Sequence, residues 1–394
     1  MFPRLIEPHL QRLATQYPVI TLTGPRQSGK TTLCRHAFPH HRYISLEDLD
    51  NRHFAENDPK GFLAQFENQG VILDEIQRAP QLPSYIQGIV DNNPSKGLFI
   101  LTGSQQFEIT QTINQSLAGR TAVLQLLPLS LAERYAEKSM MPSLNTILYE
   151  GFYPRIHQEK LNPTEALSFY LSTYVERDIR GLTKIQNLST FERFLKLCAT
   201  QVGQLLNYST LANDTGIDQG TIKAWISLLE ASYILFLTPP HHEKFRKRLT
   251  KSSKLYFYDV GLAAYLLSIQ SPEHMETYPL KGLLFENFIV TEFLKNQYNS
   301  IQGNHLYFFR DQTGNEIDII VDEGMIYRTV EIKSSKTIHS EMFKGLNFYS
   351  KIHQQEDSKK KILQYLVYGG EQSRTQENIQ IYSYQDLPAL FKSF

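Results

Sequence analysis

Short apolar runs punctuate the first 130 residues. Val19–Thr23, Arg42–Leu46, Val71-Ile72-Leu73, Leu98–Leu101 and Ala122–Leu127 each have the length and the branched or aromatic content of a buried strand. Between them the spacing turns helical, as at Pro83–Val90 and Ile113–Leu117. This alternation predicts an α/β unit, a parallel sheet with helices on both faces, whose ligands bind at the carboxyl ends of the strands. From Pro128 to Gln186 the pattern is mainly helical, and Leu188–Tyr233 continues so before a basic, hairpin-like segment. Beyond Leu280 it changes again. An amphipathic helix, Leu283–Asn296, precedes strands at Leu306–Arg310, Glu316–Val321 and Tyr327–Ile332. Pro239-Pro240 and Ser271-Pro272 mark turns, and no internal repeat is visible. A chain of 394 residues exceeds one typical core, and the pattern divides it at 1–135, 136–187, 188–279 and 280–394.

Composition narrows the function classes. Lys+Arg and Asp+Glu both number 40, so no global basic field advertises a nucleic-acid partner, and such binding would need a local patch. Cys34 and Cys198 match no zinc or redox spacing and read as buried small hydrophobes, which fits a reducing, cytoplasmic setting. The amino-terminal stretch lacks the apolar core of a signal peptide, and no run approaches the roughly 18 apolar residues of a membrane span. The pairs His40-His41 and His241-His242 have no partner at ligand spacing and read as solvated.

The chemistry begins at the end of the first strand. Gly24-Pro25-Arg26-Gln27-Ser28-Gly29-Lys30-Thr31 is a complete G-x-x-x-x-G-K-T phosphate loop between a strand and a helix-permissive stretch. Its glycines let backbone N–H groups curl around phosphate oxygens, and the helix amino terminus adds positive potential. Lys30 would reach the β- and γ-phosphates of ATP, and Thr31 would ligate Mg²⁺, with Thr32 following in the loop. Val71-Ile72-Leu73-Asp74-Glu75 reads as a Walker B segment. Asp74 would orient the Mg²⁺ shell, and Glu75 would polarise the attacking water. Thr102 and Ser104 end the fourth strand, where a hydroxyl would meet the γ-phosphate or simply form a polar turn. Arg120 is an arginine finger, acting from a neighbouring subunit, or a surface arginine; Arg155 is a weaker candidate for the same charge role.

Thr23–Thr32, Leu73-Asp74-Glu75-Ile76-Gln77, Leu101-Thr102-Gly103-Ser104 and Leu117-Ala118-Gly119-Arg120 together resemble the AAA-type P-loop ATPases of bacteria and archaea. More narrowly they resemble a group with a C-terminal domain of unknown function, and the likeness continues through Tyr174-Val175-Glu176-Arg177-Asp178. The resemblance implies an ATPase core over 1–135 and a helical lid over 136–187.

Tyr208–Trp225 reads as helix–turn–helix, with Gly216 at the turn, Asp218 as a cap, and Ile222, Trp225, Ile226 and Leu229 on the core face. Residues 244–254 follow with six basic residues and no acidic neighbour, resembling the wing of a winged helix over 188–279. DNA contact is one reading, with helix in groove and wing on phosphates. Domain packing is the other.

In the last segment Asp318 and Glu331 are separated by 12 residues, and Lys333 follows Glu331 at strand spacing. A hairpin around Asp322-Glu323-Gly324 would bring the three together, where carboxylates hold Mg²⁺ and the lysine steadies a charged transition state. With Glu286 on the preceding helix, the set resembles the PD-(D/E)-x-K fold of restriction endonuclease-like enzymes over 280–394, although Ile317 stands where the motif's name has proline. That fold is also reused without catalysis. The expectation is therefore an ATP-binding and ATP-hydrolysing protein, a candidate homo-oligomer, whose nucleotide state controls a DNA-binding module that is also a candidate for DNA cleavage. The alternative is an ATP-switched DNA-binding regulator or interaction scaffold.

Overall fold

The computed structural model describes residues 1–66, 69–104, 116–174, 188–241, 252–355 and 360–393. The chain forms two compact units. Met1–Leu129, Ala231–Ile234 and Gln297–Gly303 make the first; Ser130–Glu230, Leu235–Asn296 and Asn304–Phe394 make the second.

In the first unit, β1 (Val19–Thr23), β2 (Arg42–Ser45), β3 (Val71–Asp74), β4 (Phe99–Gly103) and β5 (Thr121–Gln125) form one sheet in the order β2-β3-β4-β1-β5. Every neighbouring pair is parallel. Strand alternation splits the apolar side chains between two cores. Val19, Leu73, Phe99 and Leu101 pack with Ala55, Phe62, Leu63, Ile86 and Val90 from the helices Leu49–Asn57, Pro59–Ala64 and Leu82–Asn92. Ile20, Leu22, Ile72, Ile100 and Leu124 pack with Leu10, Leu13, Leu33 and Cys34 from Glu7–Ala14 and Lys30–Ala37. Both faces are covered, as parallel sheets require. Most of the stretch read as a helix at Ile113–Leu117 lies outside the described residues.

The second unit opens with helices, among them Leu144–Glu150, Pro163–Tyr174 and Leu188–Thr200. The motif read at Tyr174–Asp178 lies, after Tyr174, outside the described residues. Tyr208–Thr215 and the helix beginning at Gln219 are joined through Gly216, whose φ of 73° needs glycine's freedom. Asp218 accepts the Thr221 N–H at 3.0 Å, as the capping expectation had it. Ile222, Trp225, Ile226 and Leu229 are buried, with Phe191 and Phe194 against the indole. A two-stranded antiparallel sheet follows, β6 (Leu235–Thr238) with β7 (Lys254–Phe257).

The carboxyl-terminal sheet holds β8 (Leu306–Arg310), β9 (Glu316–Asp322), β10 (Ile326–Lys333), β11 (Lys361–Tyr368), β12 (Arg374–Gln376) and β13 (Ile379–Ser383), in the order β12-β13-β11-β10-β9-β8. It is mixed: β10, β11 and β13 run parallel, and the remaining pairs are antiparallel. β9 and β10 form the hairpin expected around Asp322–Gly324. The helices Lys281–Asn299 and Lys344–Gln355 belong to this part of the chain.

Two sequence expectations need correction. His241 is not solvated. It is 5% exposed, its backbone N–H donates to the Phe308 carbonyl at 2.7 Å, and its ring meets Tyr307 and Tyr327 edge-on. Cross-chain aromatic neighbours, invisible in a local window, bury it; His242 lies outside the described residues. Lys254 is not part of a solvated basic segment either. It begins β7, is 1% exposed, and faces acids contributed by distant parts of the chain. The rest of that basic segment, 244–251, lies outside the described residues. Both cysteines are buried, as expected. Among the described residues no helix is long and apolar enough to cross a membrane.

Candidate functional site

The phosphate loop sits at the carboxyl end of β1. Gln27 and Gly29 have positive φ (60° and 92°), which turns successive N–H groups into one concavity. Gly24 also has positive φ, and a Cβ there would collide with the Leu126 carbonyl, so only glycine fits. Arg4 braces the loop from below. Its guanidinium donates to Ser28 O and Leu127 O, both at 2.6 Å, from a 6% exposed position. Sequence reading missed Arg4, because its partners lie 24 and 123 residues away.

Two observations bear on whether these residues fit a nucleotide. Ser28 Oγ is buried without a hydrogen-bond partner. Lys30 Nζ, buried, rests on the loop's own carbonyls, Gly24 O at 2.9 Å and Pro25 O at 2.8 Å. Burial lowers the Lys30 ammonium to about 8, against the pull of Glu75 and Asp74. A buried cation whose hydrogen bonds go only to carbonyls, beside a donor-lined concavity, fits a polyphosphate. Arg26 lies 4.0 Å from Glu47, while Gln27 and Thr32 are exposed.

β3 delivers the acids beside this loop. Asp74 is 8% exposed and accepts from three neutral hydroxyls: Thr31 at 3.1 Å, Tyr43 at 2.8 Å, and Thr102. Thr31 and Asp74 are thus already paired as the two groups that would share a hydrated Mg²⁺, with Tyr43 an addition the sequence did not suggest. Glu75 adopts the left-handed conformation at φ 57°, which costs a non-glycine residue about 1–3 kcal/mol. Ser104 donates to its Oε2 at 3.1 Å, and Gln77 also donates there. Strain and two donors together aim this carboxylate.

Arg120 is not brought to this site. It precedes β5, and its carbonyl accepts the Val19 N–H, so it lies at the opposite end of the sheet from the loop. Its guanidinium pairs with Asp91 at 2.5 Å. Arg155 is exposed and pairs with Glu159 at 3.2 Å.

In the second unit, Asp318, Glu331 and Lys333 do meet. Lys333 Nζ lies 2.5 Å from Glu331 Oε1 and 3.7 Å from Asp318 Oδ2, and Asp318 Oδ2 accepts the Ile332 N–H at 2.8 Å. Glu286 approaches the same cluster but is held by two donors, Lys254 Nζ at 2.8 Å and the Tyr256 hydroxyl at 2.6 Å. Lys254 also contacts Glu316, and lies 3.7 Å from Asp318 Oδ1. Glu316 in turn accepts from Arg310 at 3.2 Å. Burial raises Glu331 to about 8, with Asp318 acting in the same direction and Lys333 against it. Burial acts to lower Lys254, but the Glu286, Asp318 and Glu316 carboxylates hold it well above the ordinary lysine range. Gly345 lets the helix Lys344–Gln355 close on this cluster; a Cβ there would collide with the Glu316 carbonyl and stand 3.2 Å from Glu331 Oε2. Among the described residues, no three His, Cys, Asp or Glu side chains are arranged to hold a metal ion. The carboxylate oxygens suit a hard cation chemically, but as placed they surround an ammonium. In the sequence Lys254 reads only as part of the basic 244–254 segment, and Tyr256, Arg310 and Glu316 are given no role.

Residues 16–135 match the family model described as an AAA domain. Residues 141–273 match domain of unknown function DUF8612, and residues 281–387 match domain of unknown function DUF4143. Uncharacterized proteins of Mycobacterium tuberculosis and Mycobacterium bovis are each 28% identical over 332 residues, which is 83% of this chain and 73% of theirs. A solved structure, the Walker-type ATPase PABY2304 of Pyrococcus abyssi, is similar at 14% identity with a TM-score of 0.46, covering 68% of this chain and 96% of that one. The chain is thus an α/β protein that carries an AAA domain, a fold that implies ATP binding, followed by two domains of unknown function.

Proposed function

We propose that the protein binds and hydrolyses ATP with Mg²⁺ in its first unit, and that nucleotide state governs a DNA-directed module in its second. The observation that carries the ATPase reading is the convergence of the Lys30 loop with Asp74 and Glu75 at the carboxyl ends of β1 and β3, which flank β4. Gly24–Thr32 would hold the phosphates, and Thr31 and Asp74 would hold Mg²⁺, which neutralises charge on the transferring phosphoryl group. Glu75, aimed by Ser104 and Gln77, would take the proton from the attacking water. Arg120 would act only on a neighbouring copy's nucleotide. Turnover per chain then rises with protein concentration and is lost in Arg120→Ala; a concentration-independent rate argues against it. The main test is Mg²⁺-dependent ATP hydrolysis. Lys30→Ala should abolish it, and Glu75→Gln should keep ATP bound without turnover.

The DNA reading is supported by the helix–turn–helix over Tyr208–Trp225, which would present its second helix to a groove. Gln219, Gly220, Lys223, Ala224 and Ser227 form an exposed, small and polar face on the second helix, suited to a groove. The restriction endonuclease-like arrangement of Asp318, Glu331 and Lys333 adds a frame for a phosphodiester. Because the Lys254 ammonium already sits among Glu286, Glu316 and Asp318, binding rather than cutting is the favoured outcome. Salt-sensitive DNA binding with no product supports this reading. Absence of any DNA binding leaves the interaction-scaffold alternative.

A further inference from the structure

The carboxylates of the second unit come from separate elements. Glu286 lies on the helix Lys281–Asn299, Glu316 and Asp318 on β9, and Glu331 on β10. Three of them converge on one side chain, Lys254, whose ammonium contacts Glu286 and Glu316 and stands 3.7 Å from Asp318, while Glu331 beside them pairs with Lys333. Its position is fixed on several sides. Its residue pairs with Thr238 across β6–β7 and bridges to Leu205, and the Phe308 ring lies 5.6 Å from the ammonium. One oxygen of the set, Glu331 Oε2, is buried with no hydrogen-bond partner on a residue only 8% exposed. The cluster thus has the oxygen donors of a divalent-cation site, one of them unused, and a lysine seated among them.

We infer that Lys254 is the resident cation of this centre, that it excludes a divalent metal from the native protein, and that removing its ammonium opens a metal site built from Glu286, Glu316, Asp318 and Glu331. An ammonium differs from a metal in one chemical respect that matters here: it carries no bound water to ionise, so it balances charge without generating a nucleophile. Lys333 and Arg310, with 37% and 40% of their side chains exposed, are cations of the cluster that solvent can reach. The inference rests on the carboxylate geometry and holds whether or not the module binds DNA.

The test uses the full chain without nucleotide and Mn²⁺ alone as the probe, with bound Mn²⁺ followed by electron paramagnetic resonance. Wild type and Asp318→Asn should bind the same small amount, since any ion at the phosphate loop is common to both. Lys254→Ala should gain about one ion per chain, as expected of an oxygen cage that has lost its ammonium. The double variant Lys254→Ala/Asp318→Asn should lose that gain. If Lys254→Ala fails to fold, Lys254→Met keeps the volume while removing the charge. Mn²⁺ bound to wild type and lost in Asp318→Asn overturns the inference. So does a folded Lys254 variant that gains no Mn²⁺. If neither variant folds, equal binding by wild type and Asp318→Asn still supports exclusion of metal, and unequal binding overturns it.

Discussion

Both units place acids beside a buried lysine, yet the two lysines are in opposite situations. Lys30 rests on backbone carbonyls, and burial lowers it to about 8. Lys254 is buried too, but carboxylates hold it well above the ordinary range. The acids differ in the same sense. Asp74 is held by neutral hydroxyls, which a hydrated cation can displace, whereas Glu286 is held by an ammonium that cannot leave the chain. A buried lysine bonded only to carbonyls marks a place for an anionic ligand; one bonded to carboxylates marks a cation place already taken. Motif spelling does not separate the two cases, because the C-terminal acid-plus-lysine signature names Lys333 and is silent on Lys254.

The largest expected effect would break the second half of this comparison. Lys254→Ala leaves buried carboxylates uncompensated and should cost about 3–5 kcal/mol, read from urea unfolding. A loss below 1 kcal/mol would mean that the ammonium does not hold the cluster. Next, Glu75→Gln should lower ATP turnover roughly 10²–10³-fold while ATP still binds, as loss of a general base predicts. Equal turnover in variant and wild type would remove Glu75 from the chemistry.

Arg4→Ala sharpens the contrast from another side, because Arg4 touches the loop and would not touch the nucleotide. Losing two buried charge-assisted bonds should lower stability by about 1.5–3 kcal/mol and weaken ATP binding about tenfold. Unchanged affinity would show that the loop keeps its shape without this brace. The smallest effect is a proton count. With Lys30 near 8, about half its ammonium is neutral at pH 8, and phosphate oxygens should raise it again. ATP binding should then take up about half a proton at pH 8 and nearly none at pH 6, measured by calorimetry in buffers of different ionisation heat. The sign for folding follows. A lysine lowered in the fold costs stability while protonated, and that cost fades as pH rises from about 8 toward the unfolded value of 10.5.

Much of this was legible in the chain. β1 and β8 have the limits their apolar runs suggest, and the hairpin that brings Asp318 to Glu331 and Lys333 follows from strand alternation and one turn. These are local signals: period, spacing and turn residues within a short window. Arg4, Tyr43, Glu316 and Lys254 were not legible for the opposite reason. Lys254 finds Glu286 32 residues away and sits in a stretch that, read locally, is simply basic. Its burial is decided by which distant acids the fold delivers, and no window along the chain contains that information. His241 was misread on the same ground, since its aromatic neighbours come from β8 and β10.

The most direct measurement puts both centres in one reaction: purified full chain, Mg²⁺, ATP, and labelled single- and double-stranded DNA. The account predicts that ATP is consumed, that Lys30→Ala stops this, and that the DNA stays intact throughout. DNA cleavage that Lys333→Ala abolishes would contradict it, because a centre closed by its own lysine has no metal with which to cut.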